Sequence, residues 1–266
     1  MKKKKDNRVP VCIHPGYPKT ASTTFQKHYF PYIEGIDYAG KLYGPRGKKY
    51  SNPGERWKYG LRDALNPIIL GDEDAIAARD SEFHRQIRQA GGEKLMFISE
   101  ERILGSIITP RLDSYGLVRR SNAYTAAGAI RRLFPEEYFD VSILLTVRSQ
   151  ASLLPSKFAQ SFAQTYAHIP RLKTFERFVN DILETDISFL RPGLDYLLTV
   201  NAFEELFGRE NILVLPFEQI QSDFAGTLQS LVRFWKLDPS SAPAVAGSKD
   251  GPRANVKRRG PEGEYL

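Results

Sequence analysis

One stretch near the start of the chain, residues 9–30, constrains the fold most, because it reads as a strand, a tight turn and a helix in succession. Its sequence is VPVCIHPGYPKTASTTFQKHYF. The run 9–13 is short, apolar and rich in β-branched residues, which is typical of a buried strand in a parallel sheet. Gly16 and Pro18 break the run, and the small and hydroxylated residues after Lys19 predict the first turn of a helix. Unpaired N–H groups and the helix dipole meet at such a turn, so the stretch predicts an anion-binding site.

The rest of the chain alternates between strand-like and helix-like segments. Apolar runs predict further strands at 95–98, 141–147 and 212–215. Helical patterns are found at 22–30, 72–90, 124–134, around 156–158, and at 174–189, 195–207 and 223–235. Segments 35–59 and 103–123 are predicted to form a loop and an irregular, partly helical lid. This alternation predicts a single α/β domain, residues 9–266, with a mainly parallel central sheet flanked by helices, after a flexible basic tail at 1–8.

In a parallel sheet, ligands bind beyond the carboxyl ends of the strands. Lys19, Glu100 and Arg148 each follow a predicted strand. We therefore expect these three residues, which are far apart in sequence, to meet at one rim of the sheet.

The charge balance points to anionic partners. The 266 residues carry a net charge of +7 and have a pI near 9.3, which suits a nucleotide, an acidic glycan, nucleic acid or a membrane surface. No apolar stretch approaches the roughly 18 residues of a membrane span, so none is expected. Cys12 is the single cysteine, which excludes an intrachain disulfide and favours a cytoplasmic protein with Cys12 in the core. The oligomeric state cannot be read from the sequence.

The loop at 16–24 is not of the ATP- or GTP-binding type. That loop has lysine directly before the hydroxyl residue that holds magnesium, whereas here Ala21 and Ser22 occupy those two positions and the lysine comes earlier, at Lys19. The pattern favours an anion site of another kind over a lysine-capped turn that binds nothing.

The segment PKTASTTFQ resembles the PKxGTTxLQ loop of sulfotransferases that use 3′-phosphoadenylyl sulfate. The resemblance implies the P-loop nucleotide-hydrolase-like fold of that family, with this loop holding the 5′-phosphosulfate end of the donor. Lys19 would neutralise the leaving oxygen. The residues that would bind the 5′-phosphate are Thr20, Ala21, Ser22, Thr23 and Thr24. Ala21 stands where glycine is usual, and we expect an ordinary backbone conformation there.

A second signature begins at Arg148. An arginine at a strand end and a serine eight positions later, Ser156, resemble the family's 3′-phosphate signature, with Phe158 also in place. Gln150 replaces the usual proline. The predicted helix would place Ser156 about two turns after its start, where it can face the same phosphate. The resemblance implies that Ser156 is also one of the catalytic residues. An isolated arginine of this kind is more often in a surface salt bridge, so Arg148 indicates a phosphate site only in combination with the first loop.

A third element is the run Arg258, Arg259 and Gly260, which resembles the family's RKG loop around the 3′-phosphate. Adjacent guanidinium groups give directional bonds to phosphate, and glycine allows close backbone approach. Taken by itself, this run is explained equally well as a basic tail that binds no ligand. Glu218, in the segment before the helix at 223–235, is expected to be structural.

The resemblance implies transfer of a sulfuryl group to an acceptor hydroxyl or amine, leaving adenosine 3′,5′-bisphosphate, without a metal. The attacking hydroxyl needs a base, and Glu100 is predicted in that role, with its neighbour Glu101 as the alternative. His14 precedes the loop and is in position to orient it. The acceptor cannot be read from the sequence, although basic and aromatic residues at 38–59 and 111–132 suit a saccharide. The alternatives are a nucleotide-dependent kinase and a basic module that binds polyanions or nucleic acid.

Overall fold

The computed structural model describes most of the chain. The described residues are 8–17, 19–40, 42–43, 49–50, 94–100, 103–104, 111–112, 118–119, 123–163, 166–184 and 194–243. The predicted helix at 72–90 lies outside them.

The centre of the fold is a sheet of five parallel strands. They are β1 (Val9–His14), β2 (Ile36–Gly40), β3 (Leu95–Ser99), β4 (Phe139–Val147) and β5 (Ile212–Pro216). Their order is β2-β3-β1-β4-β5, with every neighbouring pair parallel. β1 is thus the central strand, and Ile13 is in register with Ile98 on one side and Ile143 on the other. The predicted parallel α/β sheet is confirmed.

Helices connect these strands and cover the sheet. They are α1 (Ser22–His28), α2 (Ala123–Leu133), α3 (Gln150–Ser161), α4 (Phe175–Glu184), α5 (Tyr196–Phe207), α6 (Phe217–Ser222) and α7 (Phe224–Phe234). Two begin at aspartate caps. Asp195 accepts a hydrogen bond from the Leu198 N–H and Asp223 from that of Gly226, each at 2.9 Å, which satisfies one of the unpaired donors of each first turn.

The core lies on both faces of the sheet. One apolar cluster joins Val11 and Ile13 of β1 to α2, α3, α4 and α5. The other joins Cys12 to α1, α6 and α7. Adjacent residues of β1 thus point to opposite faces and are buried on both, which explains why its sequence is an unbroken apolar run. Burial raises the pKa of the Cys12 thiol to about 12, as expected for a core cysteine.

Four details differ from the sequence-based expectation. β2 lies within the segment predicted to be a loop, and α6 was not predicted. The helix expected at 22–30 ends at His28, and Pro31 lies in a separate 3₁₀ turn, where its fixed φ is tolerated. In the expected lid, the described residues Arg111–Leu112 and Val118–Arg119 pair as antiparallel strands. Among the described residues, no helix has the length and apolar character needed to cross a membrane.

Candidate functional site

Three of the predicted site residues lie at the carboxyl edge of the three central strands. Glu100 follows β3 directly, Arg148 follows β4 directly, and Lys19 lies in the turn between β1 and α1. Their backbones are connected. The Glu100 N–H donates to the His14 carbonyl at 3.0 Å, and Arg148 Nη1 donates to the Lys19 carbonyl at 3.1 Å. The expectation that these residues meet at one rim is confirmed.

The loop before α1 has an unusual backbone. Lys19 and Ala21 have φ values of 68° and 65°, which is the left-handed region that disfavours any residue with a Cβ by roughly 1–2 kcal/mol. The expectation of an ordinary conformation at Ala21 is therefore wrong. The glycine usual at this position in sulfotransferase loops has a physical reason, since Ala21 caps α1 with its backbone in a left-handed turn.

Thr20 stabilises the strained loop from its buried side. This residue is 0% exposed, and its hydroxyl donates to the Tyr17 carbonyl at 2.7 Å. The Thr20 hydroxyl has one hydrogen, so it accepts from the Thr146 hydroxyl, which is also 2.7 Å away. Ser22 is buried, with its hydroxyl 3.4 Å from that of Thr20. Thr23 and Thr24, in the same first turn of α1, are half-buried.

His14 continues this hydrogen-bond chain across the sheet. Its Nε2 lies 3.1 Å from Thr146 Oγ1. Because the Thr146 hydroxyl already donates to Thr20, it accepts here, so Nε2 carries a proton. His14 Nδ1 lies 2.9 Å from Ser99 Oγ, and Ser99 accepts from Gln26 Nε2 at 2.9 Å. Ser99 therefore links the Gln26 amide to the His14 ring. All these side chains are buried.

The resulting network runs from α1 to the loop and joins three strands. It consists of Gln26, Ser99, His14, Thr146 and Thr20. The prediction that His14 orients the loop agrees with these contacts, although they run through two hydroxyl residues that the sequence had not singled out. A fully satisfied buried network of this kind rigidifies its surroundings.

Arg148 occupies the opposite corner of the rim. Besides its bond to Lys19, its Nε donates to Ser152 Oγ at 2.8 Å, and its guanidinium lies 4.5 Å from the centre of the Phe217 ring. Burial lowers the pKa of Arg148 while Glu218 opposes that shift, and the guanidinium stays charged. Ser156 is half-buried and lies on α3 one turn beyond Ser152. The helix places it about two turns in, as predicted, although the serine in contact with Arg148 is Ser152.

Glu218 supports the start of α3. Its Oε1 accepts a hydrogen bond from the Ser149 backbone N–H at 3.1 Å, and its negative charge suits a helix N-terminus. This contact is in keeping with the structural role expected of Glu218. α5 supports the same corner, because the Tyr196 hydroxyl donates to the Arg148 carbonyl at 2.7 Å.

Glu100 is nearly buried, with 9% of its surface exposed. Its carbonyl accepts from the Ile103 N–H at 3.2 Å, so both backbone groups of Glu100 are fixed. The side chain thus starts from a rigid position at the end of β3. Glu101, Arg258, Arg259 and Gly260 lie outside the described residues.

Comparison with solved structures now identifies the architecture. The chain matches a sulfotransferase from Alicyclobacillus acidocaldarius with a TM-score of 0.52 and 12% identity, over 90% of this chain and 85% of that one. It has the sulfotransferase fold. No family model matches the sequence, and a search of curated proteins gives no significant match. The likeness is therefore one of fold and not of overall sequence.

Two further sulfotransferase structures align more loosely. Mouse SULT7A1, solved in complex with PAP, is 15% identical with a TM-score of 0.44, and this chain spans 61% of its length while 88% of this chain is covered. The sulfotransferase domain of the Synechococcus PCC 7002 olefin synthase is 14% identical with a TM-score of 0.44, over 90% of this chain and 77% of that one. Since both scores are below 0.5, only the first neighbour bears on the fold.

Within this sulfotransferase fold, the structure adds a residue that sequence reasoning missed, Lys157. It is 5% exposed and lies on the buried side of α3 with Leu153 and Ser161. Burial, and next the positive charge of Lys19, lower the pKa of Lys157 to about 8. One signal in the sequence could have found it, since Lys157 follows the apolar Leu153 by four positions and so shares its helix face. The described residues include no group of three or more His, Cys, Asp or Glu side chains that could hold a metal ion.

Proposed function

We propose that the protein is a sulfotransferase that uses 3′-phosphoadenylyl sulfate as donor and a hydroxyl- or amine-bearing molecule as acceptor, with a saccharide as the candidate class. The observation that carries the proposal is the hydrogen bond between Arg148 Nη1 and the Lys19 carbonyl. It joins the two segments whose sequences resemble donor-binding signatures, from strands that are neighbours in the sheet, in a chain that has the sulfotransferase fold.

The residues at the rim fit an anionic donor. Lys19 and Arg148 bring two positive charges to one edge of the sheet. Ser156, four positions after the Ser152 that contacts Arg148, is the proposed hydroxyl donor. Arginine binds phosphate through its planar fork, and lysine acts on it as a point charge. Thr20 contributes differently from the sequence expectation. Its hydroxyl hydrogen is committed to the Tyr17 carbonyl, so we propose that it shapes the loop and that the loop N–H groups, with Ser22, Thr23 and Thr24, bind the 5′-phosphate.

When bound, the donor supplies an activated sulfuryl group, which passes to the acceptor and leaves adenosine 3′,5′-bisphosphate. In this proposal the protein contributes positioning and charge. Lys19 balances the negative charge on the leaving oxygen of the donor, while Arg148 and Ser156 bind the 3′-phosphate. The Glu100 carboxylate takes the proton of the acceptor hydroxyl. The Glu100 N–H and carbonyl are both hydrogen-bonded, so the side chain extends from a fixed backbone position.

Calorimetry with adenosine 3′,5′-bisphosphate, 5′-AMP, ATP and a DNA duplex tests the proposal. We expect the bisphosphate to bind more tightly than 5′-AMP by 10-fold or more, because Arg148 and Ser156 read the 3′-phosphate. Equal affinity for those two nucleotides would overturn the donor assignment. Preferred, steeply salt-dependent binding of DNA would point instead to a polyanion-binding protein, and preference for ATP to a kinase.

A further inference from the structure

Arg148 lies just beyond the sheet that carries it. The pairing of β4 with β1 ends at Ile143, and its pairing with β5 ends at Val147. The strand ladders therefore do not fix the backbone of Arg148, whereas its guanidinium is already bonded to the Lys19 carbonyl and to Ser152. A side chain that binds phosphate in one geometry needs a fixed backbone, because a misplacement of about 1 Å is costly at such a site.

The residues at the start of α5 provide this support. The Tyr196 hydroxyl donates to the Arg148 carbonyl at 2.7 Å. Burial raises the pKa of the Tyr196 phenol to about 12, so the hydroxyl keeps the proton that it donates near neutral pH. This bond satisfies a backbone carbonyl at the point where the strand pairing has ended.

A second hydrogen bond joins the same two segments. Gln150 Nε2 donates to the Leu194 carbonyl at 3.3 Å, so residues 148–150 and 194–196 are held together by two bonds that run in opposite directions. Gln150 stands where the sulfotransferase signature usually has proline, and a proline has no side-chain donor for this contact. The departure from the signature therefore adds an attachment between the start of α3 and the residues just before α5.

Tyr196 is itself held in place. Its ring lies 5.0 Å from that of Tyr17, with an angle of 68° between the two planes, which is an edge-to-face arrangement that aromatic pairs favour. Asp195 caps the helix immediately before it. Thr199, one turn later, donates to the Asp195 carbonyl at 3.1 Å and lies 2.6 Å from the Tyr17 hydroxyl, from which it accepts. The first turn of α5 therefore gives the Tyr196 hydroxyl a rigid position.

We propose that Tyr196 is a positioning residue of the donor site, which holds the backbone of Arg148 so that its guanidinium meets the 3′-phosphate, and that Gln150 provides the second attachment of the same turn. This inference rests on the proposed use of 3′-phosphoadenylyl sulfate. Tyr196 acts on the nucleotide through Arg148 and does not touch it. Its hydroxyl should therefore matter for ligands that carry a 3′-phosphate and not for ligands that lack one.

The test is calorimetric titration of the whole protein with adenosine 3′,5′-bisphosphate and with 5′-AMP, at a temperature at which each variant is folded by circular dichroism. Tyr196→Phe removes only the hydroxyl and keeps the ring against Tyr17. Its affinity for the bisphosphate should fall by about 3- to 10-fold, the usual scale of one hydrogen bond, while its affinity for 5′-AMP should stay within about twofold. A hydroxyl that only stabilised the fold would leave the ratio of the two affinities unchanged.

A double-mutant cycle separates action through Arg148 from an independent effect. In an Arg148→Met protein, Tyr196→Phe should change the affinity for the bisphosphate by less than about twofold, because the carbonyl that Tyr196 holds no longer positions a guanidinium. Tyr17→Phe is the matched control. It removes a hydroxyl that is bonded to the same turn of α5 and leaves the Arg148 carbonyl with its partner, so the ratio of the two affinities should stay within about twofold.

Gln150→Ala keeps the proposal testable if Tyr196→Phe does not fold. Gln150 is exposed, and its loss should lower the same affinity ratio by about 2- to 5-fold.

The outcomes distinguish this inference from the proposed function. A ratio that is high in the unaltered protein and unchanged in Tyr196→Phe, or in Gln150→Ala where Tyr196→Phe is unfolded, would overturn only the positioning role. An undiminished effect of Tyr196→Phe in the Arg148→Met protein would do the same. Equal affinity of the unaltered protein for the two nucleotides would refute the donor assignment itself, and the role of Tyr196 with it.

Discussion

Two corners of the same rim are held by different physical means. The loop corner consists of residues 15–17 and 19–22 with His14 and Thr146 beneath, and it is fixed by short hydrogen bonds between buried hydroxyl, imidazole and backbone groups. The arginine corner, Arg148 with the start of α3 and Glu218, is fixed by charged groups that remain partly exposed. The first arrangement sets a shape that solvent cannot alter. The second keeps its charges available, so a ligand can share them.

This difference predicts where each corner acts. Changes in the loop corner should affect stability and turnover, because they alter geometry that the reaction depends on. Changes in the arginine corner should affect donor affinity. One bond, from Arg148 to the Lys19 carbonyl, connects the two corners, so the separation should be strong but incomplete.

The largest effect is expected at Glu100, whose backbone N–H is bonded to His14 in the loop corner. Glu100→Gln keeps the shape of the side chain and removes the proton acceptor, so turnover should fall by about 10²–10⁴-fold. Affinity for adenosine 3′,5′-bisphosphate should stay within about threefold, since no donor contact is lost. Steady-state kinetics and calorimetry measure the two quantities. Near-normal turnover in Glu100→Gln together with an inactive Glu101→Gln would move the base by one residue.

The next effect is expected at Lys19. If it balances charge that develops as the donor bond breaks, Lys19→Ala should reduce turnover by about 10²–10³-fold and affinity much less. Alanine is as strained as lysine at a φ of 68°, so the fold should be little affected. Lys27→Ala, in the last turn of α1, is the control for charge. A raised Michaelis constant for the donor with unchanged turnover would show that Lys19 only binds.

Arg148 tests the other corner. Arg148→Met should weaken the binding of adenosine 3′,5′-bisphosphate by about 10- to 100-fold. The lower half of that range is expected because the guanidinium is partly exposed. Glu218→Gln removes the neighbouring negative charge and should leave affinity unchanged or slightly higher. If instead Arg148→Met bound normally and turned over slowly, its main role would be to hold the Lys19 carbonyl, and the contrast between the corners would fail.

A substitution at Thr146 tests the buried hydrogen-bond network without removing a charged side chain. Thr146→Val is nearly isosteric and deprives His14 Nε2 and the Thr20 hydroxyl of their shared partner, so the free energy of unfolding should fall by about 1–3 kcal/mol. Thr227→Val is the matched control. Thr227 is equally buried, but its hydroxyl only bonds back to the Asp223 carbonyl of its own helix, and a loss within about 0.5 kcal/mol is expected. Denaturant unfolding compares them, and equal losses would remove the network's special role.

The smallest effect is a gain. Ala21→Gly should raise the free energy of unfolding by about 1 kcal/mol, because glycine adopts a φ of 65° without the cost that alanine has there. The gain is less than the full strain because glycine also loses more entropy on folding. Gly128→Ala, inside α2 with open space around the added methyl group, is a contrasting change in which alanine should be the more stable residue. A loss of stability in Ala21→Gly would contradict the left-handed strain.

The sequence predicted the parts of the fold that depend on local patterns. Four strands and the rim positions of Lys19, Glu100 and Arg148 follow from apolar runs and from what comes directly after them. β2 was missed because Ile36–Gly40, at the sheet edge, has no continuous apolar run and lies within a segment rich in glycine and tyrosine. The left-handed Ala21 was missed although the usual glycine at that position was itself a sign of it.

The site was less predictable where it depends on contacts between distant segments. Nothing local marks Ser99 and Thr146 as partners of His14, because each lies at the end of an ordinary apolar strand. Lys157 was not singled out from the sequence, and its burial on α3 is visible in the structure. The assignment of Arg148 to Ser156 relied on a motif, whereas the bond that the structure contains is to Ser152.

The central place of β1 also has a consequence for how the molecule is made. His14 is bonded to Ser99 and Thr146, which lie 85 and 132 residues later in the chain. At the usual 5–20 residues per second, a ribosome needs roughly 7–26 s to reach the second of them. Until then β1 has no neighbour on that side, and the loop after it lacks its support. β1 is made before its partner strands and is therefore among the last elements to take its native form. Mutations that slow the pairing of β4 with β1 should increase aggregation during synthesis even where the finished protein is stable.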